Sequence, residues 1–145
     1  MAIIIFMKIT IRPAASKDLA AIEKLFRLPE LSLANGQYFT VALLAAYLKD
    51  DYFLVAEDEG LLVGALVAEP LRNGGAMVWE LAVEKERRGQ GIGSVLLKKF
   101  IAIMKGKGRQ WLILYAPSAS PRTLAFYRRH RFCLGKKHIE ALKNI

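Results

Sequence analysis

Three glycines at alternate positions, Gly89, Gly91 and Gly93, stand between an apolar run, Val78–Val83, and a helical pattern. This order constrains the chain more than any other feature. The apolar run reads as a strand, and a charged connector, Glu84–Arg88, separates it from the glycines. Ile92, Leu96, Phe100 and Ile103, with Val95 beside them, then recur at helical spacing over about Gly91–Met104. A plain strand-to-helix turn needs one glycine, whereas three in this spacing let a bulky group approach the backbone with no Cβ in the way. The first N–H groups of a helix lack intrahelical partners and carry the positive end of its dipole, so such a place suits a phosphate. The plainer alternative is a tight turn with no ligand.

Two familiar phosphate motifs do not fit. No Gly-Lys-Ser/Thr follows, so R-G-Q-G-I-G (Arg88–Gly93) is not a P-loop. Nor is it G-x-G-x-x-G, and no strand at the chain start feeds it as in a dinucleotide fold.

The rest of the chain builds around this unit. Lys8–Arg12 alternates in character and reads as a first strand ended by Pro13. Ser16 is a candidate N-cap for a helix from Lys17 to about Leu28, which Pro29 stops. Leu31–Gly36 is loop-like, and Tyr38–Leu48 is a second apolar helical segment. Tyr52–Glu57 and Leu61–Ala68 form a hairpin around Asp58-Glu59-Gly60. Pro70–Gly75 turns the chain into the strand that ends at Val83. Gly106 and Gly108 close the central helix. Trp111–Leu114 (W-L-I-L) is wholly apolar and predicts a strand buried on both faces, parallel to the Val78 strand through a crossover helix. Ser120-Pro121 opens another helix, ending near His130, and Phe132 to about Ile139 predicts a last strand.

Composition bounds the partners. The 145 residues are 54% hydrophobic and 24% charged, which fits one folded domain, here taken as 1–145. No apolar run approaches the roughly 18 residues of a membrane span, so no membrane partner is expected. Ala2–Met7 lacks a basic leader and a cleavage site and is not read as a signal peptide; Met1 and Met7 are both candidate starts. One cysteine, Cys133, excludes an intrachain disulfide and is expected to be a buried, inert thiol in a cytoplasmic protein. The net charge of +9 favours anionic partners, but no basic cluster has the length of a nucleic-acid arm, so nucleic acid is not favoured.

R-x-x-G-x-G after a strand resembles motif A of the GNAT superfamily of acetyl-CoA-dependent N-acetyltransferases. K-I-T-I-R-P-A-A-S-K-D-L-A-A-I is similar to that family's first strand and helix, and T-L-A-F-Y-R-R-H-R-F to its late helix. The resemblance implies an α/β domain with a mixed, V-shaped sheet of six to seven strands flanked by about four helices. It implies acetyl-CoA as co-substrate and no metal. Backbone amides of Gln90, Gly91, Ile92, Gly93 and Ser94 would hold the CoA diphosphate, with Arg88 and Gly89 heading the turn. Leu81, Ala82 and Val83 would pair with the pantetheine arm as if it were an added strand, and backbone N–H there would meet charge on the acyl oxygen.

Tyr127 matches the family tyrosine that protonates the leaving thiolate; a phenol near pKa 10 is still protonated at pH 7. Taken alone it would read as a packed aromatic. Glu80 is the candidate general base, with an ordered water as the alternative; its apolar flanks Trp79 and Leu81 would raise its pKa. Its plainer reading is a solvent-facing strand residue; Glu57 and Glu69 are weaker alternatives. His130 and His138 have no partnering pattern.

Two positions depart from the family. Ser120 stands where an asparagine is usual, and Arg131 replaces the glycine of a closing Gly-Phe, which is expected to alter the backbone there. The C-terminal strands are short, so the seventh strand forms within the chain or comes from a partner in a homodimer.

The expected function is acetyl transfer from acetyl-CoA to a primary amine, of a small molecule or a peptide, by direct attack. A longer acyl group is an alternative within the fold. A non-catalytic CoA-binding or basic nucleic-acid-associated module is the alternative outside catalysis. The acceptor side would be built from Pro29–Tyr38 and the turn after Ala68, with Glu30, Glu69 and Glu80 suiting a cationic amine.

Overall fold

The computed structural model describes residues 8–33 and 35–145. The Ala2–Met7 stretch, with its signal-peptide and start-site readings, lies outside them. Five strands form one sheet in the order β1 (Ile9–Pro13), β2 (Leu54–Asp58), β3 (Leu61–Pro70), β4 (Gly75–Val83) and β5 (Trp111–Leu114). Pairs from β1 to β4 are antiparallel and β4–β5 is parallel, joined through α3 (Ile92–Gly106). Two short helices, α1 (Leu19–Leu25) and α2 (Val41–Ala45), precede the hairpin, and α4 (Pro121–Arg129) follows β5. The fold class is the expected one, but the described residues hold five strands rather than six or seven.

Alternation along each strand divides the core between two layers. Leu54, Leu66, Leu96 and Phe100 pack on the α3 side of the sheet. Ile22, Phe26, Leu44, Phe53 and Val67 pack on the side of α1 and α2. Burial of such side chains on both faces contributes roughly 1.5–3 kcal/mol for each large one.

Helix ends differ from expectation for local reasons. Ser16 does not cap α1: residues Ser16–Asp18 form a 3₁₀ turn, and the Asp18 carboxylate accepts the Ala15 N–H at 2.7 Å. Arg12 on β1 holds the same carboxylate with two bonds, 2.7 and 2.8 Å, so first strand and first helix are tied by an ion pair between a buried carboxylate and a partly exposed guanidinium. The helix stops at Leu25 because the residue before Pro29 must be extended, and Leu28 is (φ −98°, ψ 137°). Thr40 caps α2 by accepting the Leu43 N–H.

β5 is not buried on both faces. Leu112 and Leu114 pack inward, while Trp111 and Ile113 are exposed. It is the edge strand with β4 as its one neighbour, and α1 packs over β3 instead. The strand expected over Phe132–Ile139 does not form; residues 132–145 are irregular. Gly135-Lys136-Lys137-His138 offers no alternating apolar face that would hold it to a sheet. Cys133 is consequently exposed rather than buried.

Candidate active site

The site begins where β4 stops behaving as a regular strand. Val78 pairs with Ala68, but Val67 pairs with Glu80, leaving Trp79 as the extra residue of a β-bulge. Alternation therefore changes phase. Val78 packs on the α3 side, and so do Leu81 and Val83, while Ala82 packs on the α1 side. Glu80, paired with Val67, shares that residue's face. Pairing between β4 and β5 ends at Val78–Leu114, so beyond that point no strand among the described residues lies beside the β4 edge facing away from β3.

A cleft of about 520 Å³ opens there. One wall is the free part of β4, another is the glycine turn with the first turn of α3, and α4 supplies Ser120, Phe126 and Tyr127. Glu80, Tyr127 and the cofactor-binding residues named from the sequence line it except Gln90, whereas the weaker alternatives Glu57 and Glu69 do not. Gln90 stands between two glycines in left-handed conformation, Gly89 (φ +77°) and Gly91 (φ +85°), which carry it to the exposed side of the turn.

The glycines divide the labour. Gly91 is the N-cap of α3, and a Cβ there would meet nothing within 4 Å, so the space beside it is open. Gly93 faces α4 instead: a Cβ on it would stand 3.4 Å from the Phe126 ring, an ordinary contact distance, so the two helices meet closely there. The first helical bond runs from the Val95 N–H to Gly91, which leaves the N–H groups of Ile92, Gly93 and Ser94 as the orphan donors of the helix start. Arg88 donates from Nε to the Val83 carbonyl at 3.2 Å, bracing the end of β4. Arg122 and Arg129 also reach the cleft, and Arg122 lies beside Gly89. Neither was singled out as a site residue from the sequence.

Glu80 and Tyr127 are both buried. Burial pushes the Glu80 carboxyl up to about 8, and the negative field of Glu140, from the C-terminal segment, adds to it. Burial pushes the Tyr127 phenol up to about 12, with the charge of Glu80 contributing. The two groups therefore sense each other across the cleft. Ser120 caps α4, its Oγ accepting the Thr123 N–H at 3.3 Å. Of the other acidic candidates, Glu30 lines the cleft near Leu28 and Leu31, while Glu57 is paired with Arg12 on the first strands.

The end of α4 sets the tyrosine in place. Arg131 N–H bonds to Arg128 and Phe132 N–H to Tyr127, the two bonds of a Schellman ending, with the Phe132 ring edge-on to Tyr127 at 5.4 Å. Arg131 occupies the left-handed position (φ +64°) that glycine favours, so the backbone keeps a glycine's course instead of being altered. His130, expected to be unpartnered, lies 2.8 Å from the Ser94 hydroxyl. No helix among the described residues is long and apolar enough to cross a membrane.

Known proteins share this fold. Residues 49–132, from just before the hairpin to the aromatic after α4, match the family model described as acetyltransferase (GNAT) domain. N-alpha-acetyltransferase 30 of Schizosaccharomyces pombe is 30% identical over 91 residues, 60% of this chain and 61% of that protein, so the chain spans less than two thirds of its length. Ard1 from Thermoplasma volcanium superposes with a TM-score of 0.75 at 24% identity, over 88% of this chain and 84% of that one. A Mycobacterium tuberculosis protein solved in complex with CoA superposes with a TM-score of 0.74 at 21% identity, over 88% and 73% of the two chains. Since the family model covers more than half of its residues, the chain belongs to the GNAT acetyltransferase family.

Proposed function

We propose that the chain transfers an acetyl group from acetyl-CoA to a primary amine by direct attack, with Glu80 as general base and Tyr127 as general acid. The observation that carries this reading is the convergence of two buried, upward-shifted groups on one cleft shared with a free strand edge and a helix start.

The residues present suit acetyl-CoA. The orphan N–H groups of α3 suit a diphosphate, the open space at Gly91 admits it, and Arg88 and Arg122 add positive charge at the rim. The backbone of Leu81–Val83, on the unpaired length of β4, suits the amides of a pantetheine arm. When bound, acetyl-CoA supplies the acyl group and the thiol that leaves.

The chain's own residues would then manage the protons. A primary amine, with a pKa from about 8 for a peptide α-amino group to about 10 for an alkylamine, is largely an ammonium at neutral pH and must lose a proton before it attacks. A carboxylate pushed up to about 8 takes that proton far better than an ordinary one would. Once Glu80 is neutral, its charge no longer helps to hold Tyr127 up, so the phenol becomes the better donor when the thiolate departs. Backbone N–H near Leu81–Val83 is the candidate to meet charge on the acyl oxygen. Cys133 stands apart from the cleft lining, which favours direct attack over an acyl-cysteine route.

The acceptor enters past Leu28, Glu30 and Leu31, where the carboxylate favours a cation. Given the name of the S. pombe relative, peptide α-amino groups head the panel, followed by polyamines and aminoglycosides. The test is thiol release from acetyl-CoA with each amine, together with the mass of the product. Amine-dependent release and a product heavier by one acetyl group are expected. CoA binding without release would leave a non-catalytic CoA module; salt-sensitive DNA binding with no CoA affinity would sink the reading.

A further inference from the structure

The C-terminal end of α4 meets the first turn of α3 through His130, whose Nε2 lies 2.8 Å from the Ser94 Oγ. The His130 ring packs against Phe126, centroids 4.7 Å apart, and Phe126 closes on the bare backbone of Gly93. Phe126 and His130 are one helical turn apart, so one face of α4 grips Gly93 and Ser94 together. Ser94 is the third residue of α3 and lines the cleft. Its hydroxyl has no role in the mechanism above.

Counting protons gives this contact a consequence. A serine hydroxyl carries one hydrogen. If Ser94 donates it to His130, none is left for the cleft. If His130 donates from Nε2–H to Oγ, the serine hydrogen is free to turn towards an anion at the helix start. An anion there selects the Nε2–H forms of the ring, and it favours the imidazolium again by charge. Opposing that charge are burial, Lys98 on α3 and Arg129 on α4, which together hold His130 below its ordinary range.

We propose that His130 is a positioning residue for the diphosphate end of the cleft, donating Nε2–H to Ser94 so that the serine hydroxyl turns to the ligand, and that CoA binding is thereby linked to protonation of His130. This rests on the CoA reading of the cleft. A bound anion draws the His130 pKa upward, and a group whose pKa is higher in the complex strengthens binding at low pH. The added affinity is fully present below the pKa of the free protein and is lost as pH rises through that of the complex.

The test is CoA affinity by calorimetry from about pH 5.5 to about pH 8.5, spanning the histidine range. Wild type is compared with His130→Gln, which keeps an amide N–H near the Nε2 position but does not titrate. Ionisation of the ligand's own phosphates is common to both proteins and cancels in the ratio of their affinities. That ratio is expected to fall by about 5–10-fold across the range, the effect of a shift approaching one pKa unit. At the alkaline end His130→Gln should match wild type, whereas His130→Ala, with its fold checked by thermal melting, should bind more weakly throughout. A ratio that stays flat, or His130→Ala binding as wild type does, overturns the linkage. Absence of CoA binding by wild type at every pH contradicts the cofactor reading itself.

Discussion

Glu80 sits directly opposite Val67 across the β3–β4 ladder, on the face where Val67 packs with α1 and α2. Uninterrupted pairing from Ala68–Val78 would have placed it opposite Leu66, on the α3 face. The bulge at Trp79 makes the difference, and it gives the carboxyl an apolar cross-strand neighbour. Val67→Thr places a hydroxyl within reach of a directly opposed side chain. A hydrogen bond to the ionised form lowers a carboxyl pKa, so the rising limb of the pH–rate profile should move down by about one unit. The variant should lose about 1–2 kcal/mol of stability for the buried hydroxyl. An unmoved limb in a folded variant would show that Val67 does not set the Glu80 environment.

Tyr127→Phe removes the phenol while keeping the ring that packs on Phe126 and Phe132. Loss of a general acid typically lowers the rate by about 10²–10⁴-fold. The expectation is a fall in kcat of at least about 10²-fold with little change in KM for acetyl-CoA. Steady-state kinetics reads both, and an unchanged kcat would remove Tyr127 from the mechanism.

Arg131 holds a left-handed conformation that costs an L-residue about 1–2 kcal/mol. Arg131→Gly should therefore raise stability by roughly 1 kcal/mol without moving Tyr127, because the Schellman bonds are backbone bonds. Denaturant midpoints and kcat together check this: a destabilised Gly variant would mean that the Arg131 side chain contributes more than its backbone costs.

Asp18 joins β1 to α1 through Arg12 and the Ala15 N–H, and these bonds hold its carboxyl below the ordinary range. A depressed carboxyl pKa contributes stability above the unfolded-state value, about 3.9, and loses it as pH falls through the folded value. Asp18→Ala should cost about 1–2 kcal/mol at neutral pH, since it removes the bonds to Arg12 and to the Ala15 N–H while Arg12 keeps Glu57 as a partner. That penalty should shrink in acid. Urea melts at about pH 7 and below about pH 3 measure the difference; a penalty that stays the same would assign it to packing.

What the sequence revealed and what it hid follow from the physics of each element. The glycine turn was legible because left-handed backbone and bare helix starts are written in residue type: Gly89 and Gly91 both have positive φ. The β4–α3–β5 unit was legible from a change of period at one turn. The bulge at Trp79 was not, because it depends on which residue of β3 each β4 residue finds, and local periodicity carries no such information. The same limit explains β5, whose four apolar residues could not say that one face lacks a covering helix; the expected last strand failed for a local reason, the lack of an alternating apolar face over Gly135–His138. His130 was overlooked because its partner, Ser94, lies 36 positions away in the sequence. Arg122 was overlooked for the same reason, since only folding brings it beside Gly89.

The central claim is that Glu80 acts as the base from its buried place in the cleft that Tyr127 also lines. It is tested most directly by kcat/KM against pH in wild type and Glu80→Gln, with an acceptor alkylamine of pKa about 10, whose own ionisation lies clear of the Glu80 range. Wild type should rise with pH and bend near the value of about 8 to which burial pushes Glu80. Glu80→Gln should be slower by about 10²-fold or more and lack that bend, keeping only the slope from the amine's own ionisation. A Glu80→Gln variant with the wild-type rate and the wild-type bend would contradict the account.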